Sequence, residues 1–131
     1  MGDFSNYWEN EILDHIFNKG SYTAPTIYVG LSTADPGDDG AGLSEPSGAA
    51  YSRVQTSAAD WSSASGGALS NANLIECPTA TGDWGTLTHF ALFDAASGGN
   101  LLAHGALTQA KTIDSGDTAR SVAGELNVTL D

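Results

Sequence analysis

The stretch from residue 84 to 107 constrains the fold most, because it predicts two β-strands joined by a tight turn. Residues 86–93 are mainly threonine, phenylalanine and leucine, which suit a pleated, half-buried surface. The joint at residues 95–100 is rich in alanine and glycine and closes a hairpin at little steric cost. Strict alternation places Phe90 on one face of the first strand and Phe93 on the other. We therefore expect both faces to be covered, inside a sandwich or against another subunit.

The charge balance excludes several classes of partner. The chain has 131 residues, of which 16 are acidic and 4 basic, giving a formal net charge of -12. Nucleic-acid binding depends on lysine and arginine displacing counterions, so neither nucleic acid nor an anionic membrane is an expected partner. No apolar run approaches the ~20 residues of a membrane helix, and the first residues lack the features of a signal peptide.

Residues 5–19 predict one amphipathic helix near the amino terminus. Ser5 or Asn6 can cap it, and Gly20 follows its end. Apolar residues recur at the three-and-four spacing that predicts a buried stripe. The members of this stripe are Trp8, Ile12, Leu13 and Ile16. The helix is expected to pack on a sheet or against a neighbouring subunit.

The remainder of the chain predicts a β-rich domain over about residues 25–131. Short strands are expected at 26–32 and 51–56, starting at 60–61, and at 68–77, separated by turn signals. Residues 124–131 alternate clearly, with Leu126, Val128 and Leu130 expected on one face. The pattern favours a single domain over residues 1–131. The fold class is mainly β, an antiparallel β-sandwich (jelly-roll-like) or barrel with one N-terminal helix.

A long acidic loop at residues 34–49 is the one segment that invites a metal interpretation. Close carboxylates beside glycine suit a hard cation such as calcium, and the candidate ligands are Asp35, Asp38 and Asp39. The spacing fits an EF-hand poorly, because the twelfth position is Pro46 rather than glutamate. A solvated surface loop is the favoured interpretation, and no metal is expected.

Catalytic signals are weak throughout the sequence. The three histidines, His15, His89 and His104, match no metal-binding spacing and are expected in the core or at an interface. No nucleophile elbow, P-loop or dinucleotide fingerprint is present, and the lone Cys77 excludes an intrachain disulfide. We predict no enzyme and no cofactor. Arg53 is expected either to pair and stack within the fold or to lie exposed.

Several phrases resemble a family of small bacteriophage virion proteins that are often labelled tail fibre proteins. They include TIYVGLSTADP at 26–36, THFALFDAASGG at 88–99 and GELNVTLD at 124–131. The similarity runs from the predicted helix to the last residue. The resemblance implies a virion structural protein, and it attaches no catalytic or binding residues to the chain.

The sequence favours a capsid decoration (cement) protein over a tail fibre component or host-glycan adhesin, because the chain has no fibre repeat. Decoration proteins of this size are commonly trimers on the head lattice, so the expected partners are other copies of the chain and the major capsid protein, or else tail proteins. The virion head is favoured over the tail as its location. The expected interface residues are Trp8, Ile12, Ile16, His89, Phe93 and His104. Trp61, beside a flexible turn, is the candidate for host contact.

Overall fold

A computed structural model describes residues 2–130 and shows one α-helix, one 3-10 helix and nine β-strands in that range. The helices are α1 (Asn6–Ile16) and a 3-10 helix at Ala58–Asp60. The strands are β1 (Gly2–Phe4), β2 (Tyr28–Ser32), β3 (Val54–Gln55), β4 (Ala68–Ser70), β5 (Ile75–Glu76), β6 (Gly85–Phe93), β7 (Leu101–Ile113), β8 (Arg120–Ser121) and β9 (Asn127–Thr129).

Seven of the strands form one sheet that curls into half of a barrel. Its order is β3-β2-β6-β7-β1-β9-β4, and β5 and β8 form a separate two-stranded sheet. Neighbours pair antiparallel except β1 and β9, which are parallel. The predicted class, mainly β with one N-terminal helix, is confirmed.

The predicted hairpin is confirmed and lies at the centre of the large sheet. Strands β6 and β7 pair from Gly85 opposite Ile113 to Phe93 opposite Leu101. The turn between them uses positive φ angles at Gly98 and Gly99, which glycine adopts without steric cost. Residues 90–93 are all buried, so both faces of the strand are covered within the chain itself.

Helix α1 begins where predicted but ends three residues early. The Ser5 hydroxyl accepts the amide of Trp8, which caps the first turn. At the other end, Asn18 adopts a left-handed φ of 60°, and the amides of Lys19 and Gly20 both donate to the carbonyl of Asp14. This turn satisfies a free helix carbonyl and ends the α-helix at Ile16.

The last strand is confirmed as an interior strand of the sheet. Strand β9 lies between β1 and β4, and Leu126 and Val128 are buried as predicted. Leu130 lines the same apolar groove as Val128, in keeping with the predicted shared face, but it lies beyond the end of β9 and is 53% exposed. Asp131 lies outside the described residues.

The predicted strand at 68–77 is instead two short strands in different sheets. Asn71 interrupts it: its side-chain amide donates to the carbonyls of Asn73 and Val122, and its side-chain oxygen accepts the amide of Leu126. The predicted strand start at 60–61 is reduced to one antiparallel bridge, between Trp61 and Asn71, directly after the 3-10 helix at Ala58–Asp60. That helix forms because a capping box between Ser57 and Asp60 favours a helical turn.

Candidate functional site

Most of the long loop at residues 34–49 is exposed, as predicted, but the loop is also fixed to one face of the central hairpin. Its anchor is Arg53, whose guanidinium Nε and Nη2 bind Glu45 at 3.1 and 2.7 Å. Arg53 Nη1 also donates to the carbonyls of Ala95 and Gly98, both at 2.8 Å. The guanidinium stacks 3.4 Å from the centre of the Phe93 ring. Of the two alternatives for Arg53, the structure shows the paired and stacked one, with the side chain only 6% exposed.

Tyr51 packs beside Arg53 on the same face of the sheet. Its hydroxyl donates to Glu45 at 2.7 Å and accepts the amide of Leu31 at 2.9 Å. Burial first, and then the hydrogen bond to Glu45, raise the pKa of Tyr51 above its ordinary value. A side chain at Gly30 would clash here, because its Cβ would lie 2.9 Å from Glu45 Oε2 and 3.0 Å from Phe93. We name Arg53, Glu45, Tyr51 and Phe93 the Arg53 cluster.

The acidic part of the loop is also anchored, and the anchor is His104. His104 Nε2 lies 2.9 Å from Asp38 Oδ1, and Nδ1 lies 3.6 Å from Asp35 Oδ1. The Asp38 carbonyl accepts the amide of Asn6, and Asp39 Oδ1 accepts the amide of Ala41. Two of the candidate calcium ligands thus contact a histidine, and across residues 2–130 no group of three or more potential ligands could hold a metal ion.

An apolar groove of about 390 Å³ lies on the side of the sheet opposite to the Arg53 cluster. Leu92 of β6 lies in it, whereas the next residue, Phe93, belongs to the Arg53 cluster. None of the residues that line the groove carries a charge. The larger side chains in its wall are Phe4, Trp8, Ile27, Trp61, Leu69, Leu92, Val128 and Leu130.

Two tryptophans of the groove are held in place by hydrogen bonds from their indole nitrogens. Trp8 donates to the Tyr22 hydroxyl at 3.0 Å and packs on Phe4 at a ring separation of 4.5 Å. Trp61 donates to Thr56 Oγ1 at 2.9 Å. Because the polar atom of each indole is satisfied within the chain, each ring presents an apolar surface to the groove.

The apolar residues in the last turn of α1 are exposed to solvent and do not pack against the sheet. No residue of the helix is fully buried. Leu13, Ile16 and Phe17 are 54%, 62% and 69% exposed, and we name these three residues the helix end. The predicted stripe therefore packs on the sheet only through its first turns, and a large apolar surface is left uncovered in the chain.

The structure separates the predicted interface residues into two groups. Phe93 and His104 are buried within the chain, and the His89 ring nitrogen is 2.8 Å from the Thr88 hydroxyl. Trp8, Ile12 and Ile16 lie on the helix that runs from the groove to the helix end. Trp61, the candidate host contact, lies in the groove wall. Of the helix residues, only Trp8 therefore shares the groove wall with Trp61.

Sequence reasoning missed most of the groove. Phe4, Ile27, Leu69, Leu92 and Val128 come from five separate strands or loops, and only the sheet order brings them together. The one local signal was the pair Phe4 and Trp8, which flank the Ser5 cap. The apolar lining suits the side chains of a protein partner rather than a charged ligand.

One known protein family matches nearly the whole chain. A family model described as podophage GP4 fiber I protein gp80 matches residues 3–129, and the chain belongs to this family. No curated protein sequence matches it. The resemblance to small phage virion proteins is confirmed, and the chain is a structural protein of a bacteriophage. Within residues 2–130, neither helix has the length and apolar character of a membrane span.

Proposed function

We propose that this member of the fiber I protein family is a subunit of a fibre on the bacteriophage virion, assembled from several copies of the chain. The observation that carries the proposal is the family match over residues 3–129. The fibre description of that family favours this role over capsid decoration, which the sequence alone favoured.

The absence of a sequence repeat does not oppose a fibre role. A fibre shaft made from one long chain needs an internal repeat, but a fibre made from many small copies takes its repeat from the copies themselves. A chain of this size with a curled sheet is a suitable building block for such an assembly. Its function is mechanical, and we propose no catalytic step and no cofactor.

The contacts of the molecule fit a subunit role. The Arg53 cluster and the His104 contacts fix the long loop to the sheet, which gives a defined shape without a partner. The groove and the helix end are apolar and uncovered within residues 2–130. Such surfaces mark sites of protein contact on most folded proteins, and we assign them to neighbours within the virion.

Capsid decoration is the second candidate, favoured by the small size and the lack of a repeat. In that role the same apolar surfaces would contact the head lattice, and a trimer remains the expected oligomer. A host-adhesin role centred on Trp61 is less well supported, because that indole is in the groove wall and bonded to Thr56.

Immunogold labelling of intact virions separates these candidates. Antibody against the chain is expected to place gold on fibres, and a phage unable to make the chain is expected to lose both the label and those fibres. Gold spread evenly over the head would establish decoration instead. Fibres that persist unchanged in the phage lacking the chain would overturn the fibre role.

A further inference from the structure

We propose that the groove of one copy binds the helix end of a second copy of the same chain. This inference rests on the proposed function, because it names the partner through which fibre subunits contact each other. The described chain offers a recessed apolar surface, the groove, and a projecting one, the helix end. The groove is about 390 Å³, a volume in the range of pockets that bury several apolar groups.

The projecting surface has the pattern of a helix anchor. Leu13, Ile16 and Phe17 stand at positions i, i+3 and i+4, so their side chains lie together on one face. Anchors at this spacing are typical of helices that bind in apolar grooves of other proteins.

The charges of both surfaces permit contact between two acidic copies. The chain as a whole carries -12, so two copies repel over most of their surfaces. Residues 13–20 contain one acid and one base, Asp14 and Lys19, and have no net charge. The groove lining has no charged residue. Joining these two neutral surfaces therefore brings no like charges into the centre of the contact.

A copy cannot fill its own groove with its own helix end. Trp8 lines the groove and Phe17 follows the last turn of the same helix, so the two are separated by roughly 14 Å along a rigid rod. The helix is fixed at its start by the Ser5 cap. At its end, the amide of Tyr22 donates to the His15 ring nitrogen and holds the following segment against it.

Because the two surfaces differ, the contact joins copies head to tail. Such a heterologous contact can repeat from copy to copy and build a ring or an open filament. The helix end is already ordered in the single copy, so binding orders little additional chain.

A mixed disulfide experiment tests the contact. One full-length variant carries Phe17→Cys and a second carries Ala64→Cys, an exposed position at the groove. Native Cys77 is buried, which raises the pKa of its thiol to about 11 and keeps it unreactive at neutral pH. The control replaces the second variant by Ala123→Cys, which is exposed and lies outside the groove.

The Phe17→Cys and Ala64→Cys mixture is expected to give a disulfide-linked heterodimer in about tenfold excess over the control mixture. Equal yields would overturn the proposal. Efficient linkage of Phe17→Cys to itself would indicate a helix-to-helix contact and would also overturn it.

Sedimentation equilibrium of the unmodified chain gives an independent readout. Association is expected to rise with concentration, whereas a chain that stays monomeric up to millimolar concentration overturns the inference. If such a monomer is nevertheless found on fibres by immunogold labelling, the proposed function stands and only this contact fails.

Discussion

The two faces of the central hairpin differ in how they are covered. On one face, the long loop supplies ion pairs and hydrogen bonds that close the surface within the chain, with Arg53 only 6% exposed. On the other face, Leu92 is also buried, at 3% exposed, but it lies in the wall of an apolar groove that no residue of the described chain fills. Buried apolar side chains alone therefore do not show whether a face of the sheet is closed to solvent. Polar contacts hold the loop over one face, whereas apolar side chains line the groove on the other.

Removing Arg53 is expected to have the largest effect on stability. Arg53→Ala leaves the Glu45 carboxylate, which is 18% exposed, without its guanidinium partner. Loss of one member of a buried ion pair costs about 3–5 kcal/mol of unfolding free energy. Urea denaturation measures this cost. The matched control is Arg120→Ala, because its pair with Glu76 is exposed and is worth at most about 1 kcal/mol. Equal losses of unfolding free energy for the two variants would contradict a special role of the Arg53 cluster in stability.

A charge on the helix end is expected to weaken association without unfolding the chain. Ile16 is 62% exposed, so Ile16→Glu changes unfolding free energy by less than about 0.5 kcal/mol. Loss of its burial in the groove costs about 2 kcal/mol of binding, or roughly a thirtyfold rise in dissociation constant. Sedimentation equilibrium measures the change. Val122→Glu is the control because Val122 is 61% exposed and is not part of the groove lining. Equal weakening by both variants would show that general charge repulsion is responsible.

High pH is expected to lower the free energy of unfolding through ionisation of Tyr51. Burial and the bond to Glu45 raise the pKa of Tyr51, so the folded chain keeps this proton where the unfolded chain loses it. The free energy of unfolding therefore falls as pH rises above about 10, the ordinary pKa of tyrosine. Tyr51→Phe is expected to cost about 1 kcal/mol at neutral pH and to make that alkaline decline less steep. Urea unfolding at several pH values tests this, and identical slopes for both chains would contradict it.

The smallest effect is expected at the exposed edge of the loop. Asp38→Asn weakens the contact with His104, but the Asp38 side chain is 56% exposed and its carbonyl still accepts the amide of Asn6. The expected loss of unfolding free energy is below about 1 kcal/mol. Thermal unfolding at neutral pH measures it. A loss as large as that of Arg53→Ala would show that the acidic half of the loop, and not the Arg53 cluster, closes this face.

Local periodicity accounts for what the sequence predicted well. The hairpin, the start of α1 and the last strand all have repeating apolar positions within a few residues, and each lies where predicted. Strand β1 gave no such signal, because it has three residues and pairs with β7 and β9 from distant parts of the chain.

Long-range contacts explain the errors at the candidate site. Glycine and acidic residues in the loop predicted exposure correctly, but they gave no sign of the bidentate pair between Arg53 and Glu45 that fixes the loop on the sheet. The groove depends on the order of strands in the sheet, which single-strand patterns do not determine. The helix stripe predicted burial, but Trp8 and Ile12 are only half-buried, and Ile16 and Phe17 are exposed.

A cryo-electron microscopy reconstruction of the virion at side-chain resolution tests the central claim most directly. The account predicts copies of the chain in a fibre, with Ile16 and Phe17 of one copy seated between Trp8 and Trp61 of the next. A groove that is open to solvent, or filled by a different virion protein, would contradict the proposed contact. Copies arranged on the head lattice would contradict the fibre role itself.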